Sequence, residues 1–344
     1  MNDPVLDTLL LPIEDGSVSL PGDGPALFLR ARFGDALSRQ SRDHFVCEQG
    51  FKPAQDTLVR AGFRTRDAAD ETKYALSLVL PQRQRDENRA LLARAVQATR
   101  DGGIVMAAAS NIEGAKTFEG DLKLLLGRVD SLSKNKCRVF WGRVDPDQVD
   151  QAKLAEWIAA DAPRDIGGYM SRPGLFAWDR IDAGSKMLVD HLPPNLAGRA
   201  ADLGVGFGYL SREIQARYPG LTHIDLYEAE SRALEMAQLN LSGNVSFIWG
   251  DVAKGLDADY DVIVSNPPFH TDHADRHELG QAFIRTAAKS LKTGGVFLMV
   301  ANRHLPYEET LRSAFKAVTV LSETGAYKVF RAAGPQTAKK LSKA

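Results

Sequence analysis

Apolar residues along this chain gather into short runs, each closed by a glycine, an acid or a proline, with amphipathic stretches between them. Ala200-Ala201-Asp202-Leu203 is one such run, and it opens through glycines into a helical pattern that includes Tyr209 and Leu210. Leu221–Glu228 reads as a strand ending in an acid, and Val245–Trp249 as another, followed by Gly250-Asp251. Asp261-Val262-Ile263-Val264-Ser265 is a further strand, stopped by Asn266-Pro267-Pro268-Phe269. Apolar runs of this length alternating with helical patterns predict an α/β fold.

The pattern occurs twice. Tyr74-Ala75-Leu76-Ser77-Leu78-Val79-Leu80-Pro81 parallels Tyr260-Asp261-Val262-Ile263-Val264-Ser265-Asn266-Pro267, and residues 93–106 parallel residues 284–297. Asn111 then corresponds to Asn302, and Arg138-Val139-Phe140 to Lys328-Val329-Phe330. The offset between copies stays within 186 to 192 residues, which points to duplication rather than chance likeness. We therefore expect two tandem domains, residues 1–165 and 166–344, joined near the polar, Pro-containing stretch Asp161-Ala162-Pro163-Arg164-Asp165.

Composition agrees with two globular domains. A chain of 344 residues with 44% hydrophobic and 25% charged positions has the ordinary make-up of soluble proteins. No apolar run approaches the roughly 18 residues needed to span a membrane, and no signal peptide opens the chain. Cys47 and Cys137, the two cysteines, form neither a disulfide framework nor a zinc set, so a reducing cytoplasm is expected.

The chemistry concentrates in the second copy. Gly204-Val205-Gly206-Phe207-Gly208 would bring backbone close to a ligand and aim helix N–H groups at it. Nicotinamide enzymes use a similar loop, so the glycines alone decide little. Glu228, about 20 residues on, is placed like the acid that accepts hydrogen bonds from ribose hydroxyls in doubly wound folds. Asp251 suits the amino group of an adenine. Asn266-Pro267-Pro268-Phe269 then sets a side-chain amide, a free Pro267 carbonyl and a ring at a strand's end. An exocyclic amine on a flat base needs such a receptor: two acceptors for its N–H groups and a ring against its face.

In this order, these features resemble the class I S-adenosylmethionine-dependent methyltransferases that modify planar amino nitrogens. Residues 174–185 look like that family's cofactor-covering segment, with Phe176 within it. Residues 294–307 and 328–331 look like its C-terminal strands. Together they resemble the ribosomal RNA guanine-N2 methyltransferases of the small-subunit methyltransferase C type, over roughly residues 166–332. Val205 and Phe207 depart from the smaller residues common there. The resemblance implies two Rossmann-like methyltransferase domains, the N-terminal one degenerate and without cofactor.

It also implies transfer of a methyl group from S-adenosylmethionine to a guanine N2, in 16S ribosomal RNA by preference. Asp202, Gly204, Gly206, Gly208, Glu228, Asp251, Phe176 and Asn266 are the expected cofactor set, and Asn266, Pro267 and Phe269 the catalytic one. Methylation of adenine N6 or of a protein glutamine, and RNA binding without catalysis, are the alternatives. The expected protein is a cytoplasmic monomer acting on ribosomal RNA or a ribosomal subunit, away from membranes.

The first copy has Leu80-Pro81-Gln82-Arg83 where the second has Asn266-Pro267-Pro268-Phe269, and it lacks the glycine alternation. Charge suggests another use for it. Residues 30–150 hold 21 Lys and Arg against 17 Asp and Glu, while the whole chain is at −1. Arg60, Arg64, Arg66, Arg83, Arg85, Arg89, Arg94 and Arg100 are a candidate phosphate-contacting surface. A solvated helix face paired with Asp86 and Glu87 is the plainer reading. His270, His273 and His277, with Asp272 and Asp275, have metal-like spacing. Methyl transfer from a sulfonium needs no metal, so we expect a lid over the target base there and no metal.

Overall fold

In the computed structural model, residues 3–67, 70–268 and 273–336 are described. The chain divides into two compact units, Met1–Ala162 and Pro163–Ala344. The first holds strands β1 (Ala26–Leu29), β2 (Phe45–Glu48), β3 (Arg64–Thr65), β4 (Tyr74–Val79), β5 (Thr99–Ser110), β6 (Asp130–Lys134) and β7 (Cys137–Arg143). A two-residue pair, β8 (Arg164–Asp165) and β9 (Met170–Ser171), begins the second unit. Its main sheet is made of β10 (Gly198–Leu203), β11 (Leu221–Glu228), β12 (Val245–Trp249), β13 (Tyr260–Ser265), β14 (Leu291–Asn302), β15 (Phe315–Glu323) and β16 (Tyr327–Pro335).

The two main sheets have one topology. The first runs β3-β2-β1-β4-β5-β7-β6 and the second β12-β11-β10-β13-β14-β16-β15. In each, the first five strands are parallel and the last two form an antiparallel hairpin against the fifth. Even a bend near the start of the fifth strand is shared. Gly102 and Gly294 have φ of 74° and 85°. A Cβ on Gly103 would lie 2.8 Å from the Ala75 carbonyl oxygen, and one on Gly295 would lie 3.0 Å from those of Asp261 and Tyr260. The Gly-Gly pair is therefore a steric requirement in both copies.

Strands of a parallel sheet covered on both faces carry apolar residues on each side, which gives the unbroken runs in the sequence. In the second unit Ile263, Phe297 and Met299 pack against helices 273–290 and 307–314. Their strand neighbours Val262, Val264, Leu298 and Val300 face the other way, toward helices 183–190, 209–217 and 231–240. In the first unit Leu27, Leu29, Val105 and Ala107 enter one cluster, and Phe28, Leu78, Met106 and Ala108 the other.

The order positions the site. β10 lies between β11 and β13, so the chain leaves it in one direction for β11 and crosses back to reach β13. At such a reversal the loops at the strand carboxyl ends splay apart and leave a crevice for a ligand. Gly204 and Asn266 follow the ends of β10 and β13.

The basic residues of the first unit are arranged differently from the expected phosphate surface. Arg66 and Arg94 both reach the buried Glu48, at 3.2 and 2.5 Å. Arg89 reaches Asp121 at 3.1 Å and lies over the Trp157 ring at 4.8 Å. Arg100 pairs with Asp23, and Arg83 lies 3.8 Å from Glu113. Glu48 and Asp121 are buried acids, and a buried charge needs a partner, so Arg66, Arg89 and Arg94 are committed to the interior. Arg60, Arg64, Arg83, Arg85 and Arg100 remain exposed.

Candidate cofactor and active site

β10 ends in a loop that only glycine fits. Gly204, Gly206 and Gly208 have φ of 78°, 58° and 96°, the left-handed region. The amides of Gly204 and Val205 donate to the Tyr227 carbonyl, at 2.9 and 3.0 Å. That of Gly208 turns back to the Val205 carbonyl at 3.0 Å, just before helix Tyr209–Arg217 starts. A Cβ on Gly206 would meet nothing within 4 Å, so the loop presents open space on that side.

Glu228, at the end of β11, holds the loop in place. One carboxylate oxygen accepts from the Gly206 amide at 2.8 Å, and the other from the amides of Ala229 and Glu230 at 2.8 and 2.9 Å. Burial pushes its carboxyl above the usual range, and these amide bonds oppose the push. Asp202 lies beneath, with no solvent exposure. One of its oxygens accepts from the Ser211 hydroxyl at 2.7 Å, and the other has no partner among the described residues. Burial raises its carboxyl to about 7, with the Glu228 charge adding to the effect.

A cleft opens above the loop, lined among others by Phe176, Asp182, Ser185, Gly204, Gly206 and Asn266. Phe176 is 41% exposed at its rim, one residue before Ala177, which has φ of 49°. Asn266 follows β13, whose last residue, Ser265, donates its hydroxyl to the Leu203 carbonyl at 2.7 Å and so ties the ends of β13 and β10 together. Both Asn266 amide hydrogens are engaged, one with Asp182 at 2.9 Å and one with Ser185 at 2.7 Å. Its oxygen is buried and has no partner among the described residues. An acceptor left in that state costs about 1–3 kcal/mol, a cost removed when a ligand donates to it.

Of the residues expected from sequence, the cleft brings together Phe176, Gly204, Gly206 and Asn266. Glu228 joins them through Gly206. Asp202 and Gly208 support the loop from below and behind. Pro267 is buried directly after Asn266. Asp251 stands at the end of β12, where its carboxylate accepts from the Ala253 amide at 3.0 Å. Phe269, His270 and Asp272 lie outside the described residues, as do the side chains of His273, Asp275 and His277. The expected lid and the absence of a metal there rest on those residues. Among the described residues no cluster of His, Cys, Asp or Glu could hold a metal ion, and no helix is long and apolar enough to cross a membrane.

Sequence reasoning missed Asp182 and Ser185. Asp182 precedes helix Ala183–Asp190 and accepts from the Ser185 amide at 2.8 Å, an N-cap visible in Asp182-Ala183-Gly184-Ser185. Its contact with Asn266, 84 positions away, has no local sign.

These residues fit S-adenosylmethionine. Gly206 leaves open space that a side chain would fill, Glu228 is an acid beside it, and the oxygens of Asp202 and Asn266, without partners among the described residues, suit a cationic cofactor and an amine. Known proteins agree. The family described as "Methyltransferase small domain" matches residues 168–331. A Ribosomal RNA small subunit methyltransferase C from Shewanella loihica is 32% identical over 189 residues, 53% of this chain and 55% of that protein. The match thus spans about half that relative's length. The protein of the same name from Psychromonas ingrahamii is 28% identical over 303 residues, 86% of each chain. Among solved structures, the T. thermophilus 16S rRNA N2 G1207 methyltransferase, in complex with AdoMet and guanosine, superposes with a TM-score of 0.80 at 24% identity. That superposition covers 97% of this chain and 92% of that one. Residues 168–331 thus match a methyltransferase small domain, along most of its length the chain is similar to proteins named ribosomal RNA small subunit methyltransferase C, and its fold is that of the T. thermophilus enzyme.

Proposed function

We propose that this chain methylates the exocyclic N2 of a guanine in small-subunit ribosomal RNA. The observation that carries the reading is the buried Asn266 oxygen, without a partner among the described residues, at the carboxyl end of β13 beside the glycine loop. S-adenosylmethionine, when bound, supplies the electrophilic methyl group. The glycine loop and Glu228 hold it, Glu228 through the ribose hydroxyls, with Asp251 toward the adenine amino group and Phe176 covering the cleft.

A guanine amine is a poor nucleophile because its lone pair is delocalised into the ring. Asn266 accepts one of its N–H groups and the Pro267 carbonyl the other, which localises the lone pair and aims it. Phe269, outside the described residues, has the role of a ring for the face of the base, which leaves its stack to enter. Positioning supplies most of the rate, and the amine's proton leaves to water after alkylation.

The first unit supports substrate binding and holds no cofactor, and the protein acts as a cytoplasmic monomer. Deleting the gene and mapping small-subunit ribosomal RNA for methyl groups tests the reading. One guanine should lose its N2 methyl and regain it with the native gene, not with an Asn266→Ala copy. A methylation pattern unchanged by deletion would overturn it.

A further inference from the structure

The Asn266 side chain is held in one orientation by two residues from a different part of the chain. We infer that Asp182 and Ser185 form an amide lock, positioning residues that turn the Asn266 oxygen toward the target amine and the Asn266 nitrogen away from it. This rests on the reading of Asn266 as the acceptor for that amine.

An asparagine amide is nearly symmetric in shape, and its two ends have opposite roles: oxygen accepts and nitrogen donates. With the nitrogen toward the cleft, Asn266 would offer N–H groups to a nucleophile that also carries N–H groups, and the contact would repel. The surroundings settle the choice. A carboxylate accepts hydrogen bonds and does not donate, so the end of Asn266 that faces Asp182 at 2.9 Å is the nitrogen. The second amide hydrogen goes to the Ser185 hydroxyl at 2.7 Å. With both hydrogens taken, the oxygen is the one atom of the amide without a partner among the described residues, and Asn266, Asp182 and Ser185 line the same cleft.

The lock is itself held firmly. The Asp182 oxygen that receives Asn266 also receives the Ser185 amide at 2.8 Å, so capping the helix fixes the carboxylate. Between them, a Cβ on Gly184 would lie 2.9 Å from the Tyr327 ring, so this first turn packs against β16 without room to shift. Hydrogen bonds in series polarise one another. Donation to a carboxylate therefore also enriches the Asn266 oxygen in negative charge, which favours the amine that gives up its protons.

The test measures single-turnover methyl transfer by the full-length protein, using methyl-labelled S-adenosylmethionine and unmethylated small-subunit ribosomal RNA, free and in assembled subunits. Asp182→Ser keeps a good helix cap on a side chain too short to reach Asn266. Asp182→Asn keeps both the cap and an acceptor oxygen. Asp182→Ser should slow transfer on the order of 10-fold or more, and Asp182→Asn should recover much of that loss. Ser185→Ala, a mild change within a helix, should slow transfer less, and all three should bind S-adenosylmethionine within a few-fold of the parent.

The decisive comparison places Asp182→Ser in an Asn266→Ala background, where it should cost nothing further because its target is gone. Equal losses with and without Asn266, or an unchanged rate in both Asp182→Ser and Ser185→Ala, would overturn the lock and leave the acceptor role intact. Near-normal transfer by Asn266→Ala alone would overturn the acceptor role, and the lock with it. Should Asp182→Ser fail to fold, Ser185→Ala combined with Asn266→Ala makes the same comparison.

Discussion

Arg30 stands in the first unit where Gly204 stands in the second. Each follows the last residue of the central strand, Leu29 paired with Val79 and Leu203 paired with Ser265, and each has positive φ, 54° and 78°. The turn has been kept while its occupant has changed. The Arg30 guanidinium extends to the Gln82 side chain at 3.2 Å, across the ends of β1 and β4, which correspond to the strands bordering the cleft of the second unit. A large side chain there, which also lies 3.9 Å from the Glu87 carboxylate, stands against a cofactor on steric grounds. Calorimetric titration should therefore give one S-adenosylmethionine per chain, and Gly204→Arg should abolish that binding. Two equivalents per chain would show that the first unit binds as well.

Glu228 holds three backbone amides, and in the proposed function it also receives the cofactor. Glu228→Ala strands those amides, so it should lower the melting temperature even without cofactor. It should also weaken S-adenosylmethionine binding by about 2 kcal/mol or more through loss of charge-assisted bonds. Unchanged affinity by calorimetry would remove Glu228 from the cofactor site.

Asp202 should make stability depend on pH near neutrality. Its carboxyl is raised from 3.8 to about 7 by burial. Below pH 4 it is protonated in both folded and unfolded chains. Between about 4 and 7 the unfolded chain releases the proton and the folded one keeps it, so stability falls as pH rises and levels off above 7. The full span, at about 1.4 kcal/mol per pH unit, amounts to roughly 4 kcal/mol. Asp202→Asn should lack this fall, so its melting temperature should gain on the parent from pH 5 to pH 8. In the parent, affinity for the cationic cofactor should rise over the same window, since the cation favours ionised Asp202. Parallel melting curves for the two proteins across that range would show that Asp202 does not titrate there.

Exposure separates the arginines of the first unit. Arg89→Ala leaves the buried Asp121 without its partner and should cost about 3 kcal/mol of stability in denaturant unfolding. Arg85→Glu, on an exposed position, should leave stability nearly unchanged and raise the Michaelis constant for RNA. If Arg85→Glu leaves RNA kinetics unchanged, the RNA surface lies elsewhere.

Much of this was legible along the chain because it is local. Glycines alternating after Leu203, acids ending β11 and β12, and Asn-Pro-Pro ending β13 each reflect what a few consecutive backbone positions must do. The near-constant offset between copies carried over into identical strand orders, since duplication preserves spacing as well as residue type. Side-chain partnerships across long separations were not legible. Arg66 and Arg94 looked like surface charge, because the burial of Glu48 is a property of the folded sheet. Asp182 has the local sign of a helix cap, which the sequence reading passed over, and its second partner, Asn266, comes near only when β13 is in place beside β10. Glu228 was expected to face a ribose, and its hold on the Gly206 amide appears only once the loop has closed.

The most direct test is the identity of the methylated nucleoside. Purified protein should be incubated with methyl-labelled S-adenosylmethionine and small-subunit ribosomal RNA from a strain lacking the gene, and the RNA digested to nucleosides. The label should appear in N2-methylguanosine, at one site, and Asn266→Ala should reduce it at least about 100-fold while binding the cofactor within a few-fold of the parent. Label in N6-methyladenosine, or equal labelling by Asn266→Ala, would contradict guanine N2 as the target of an amine held by Asn266.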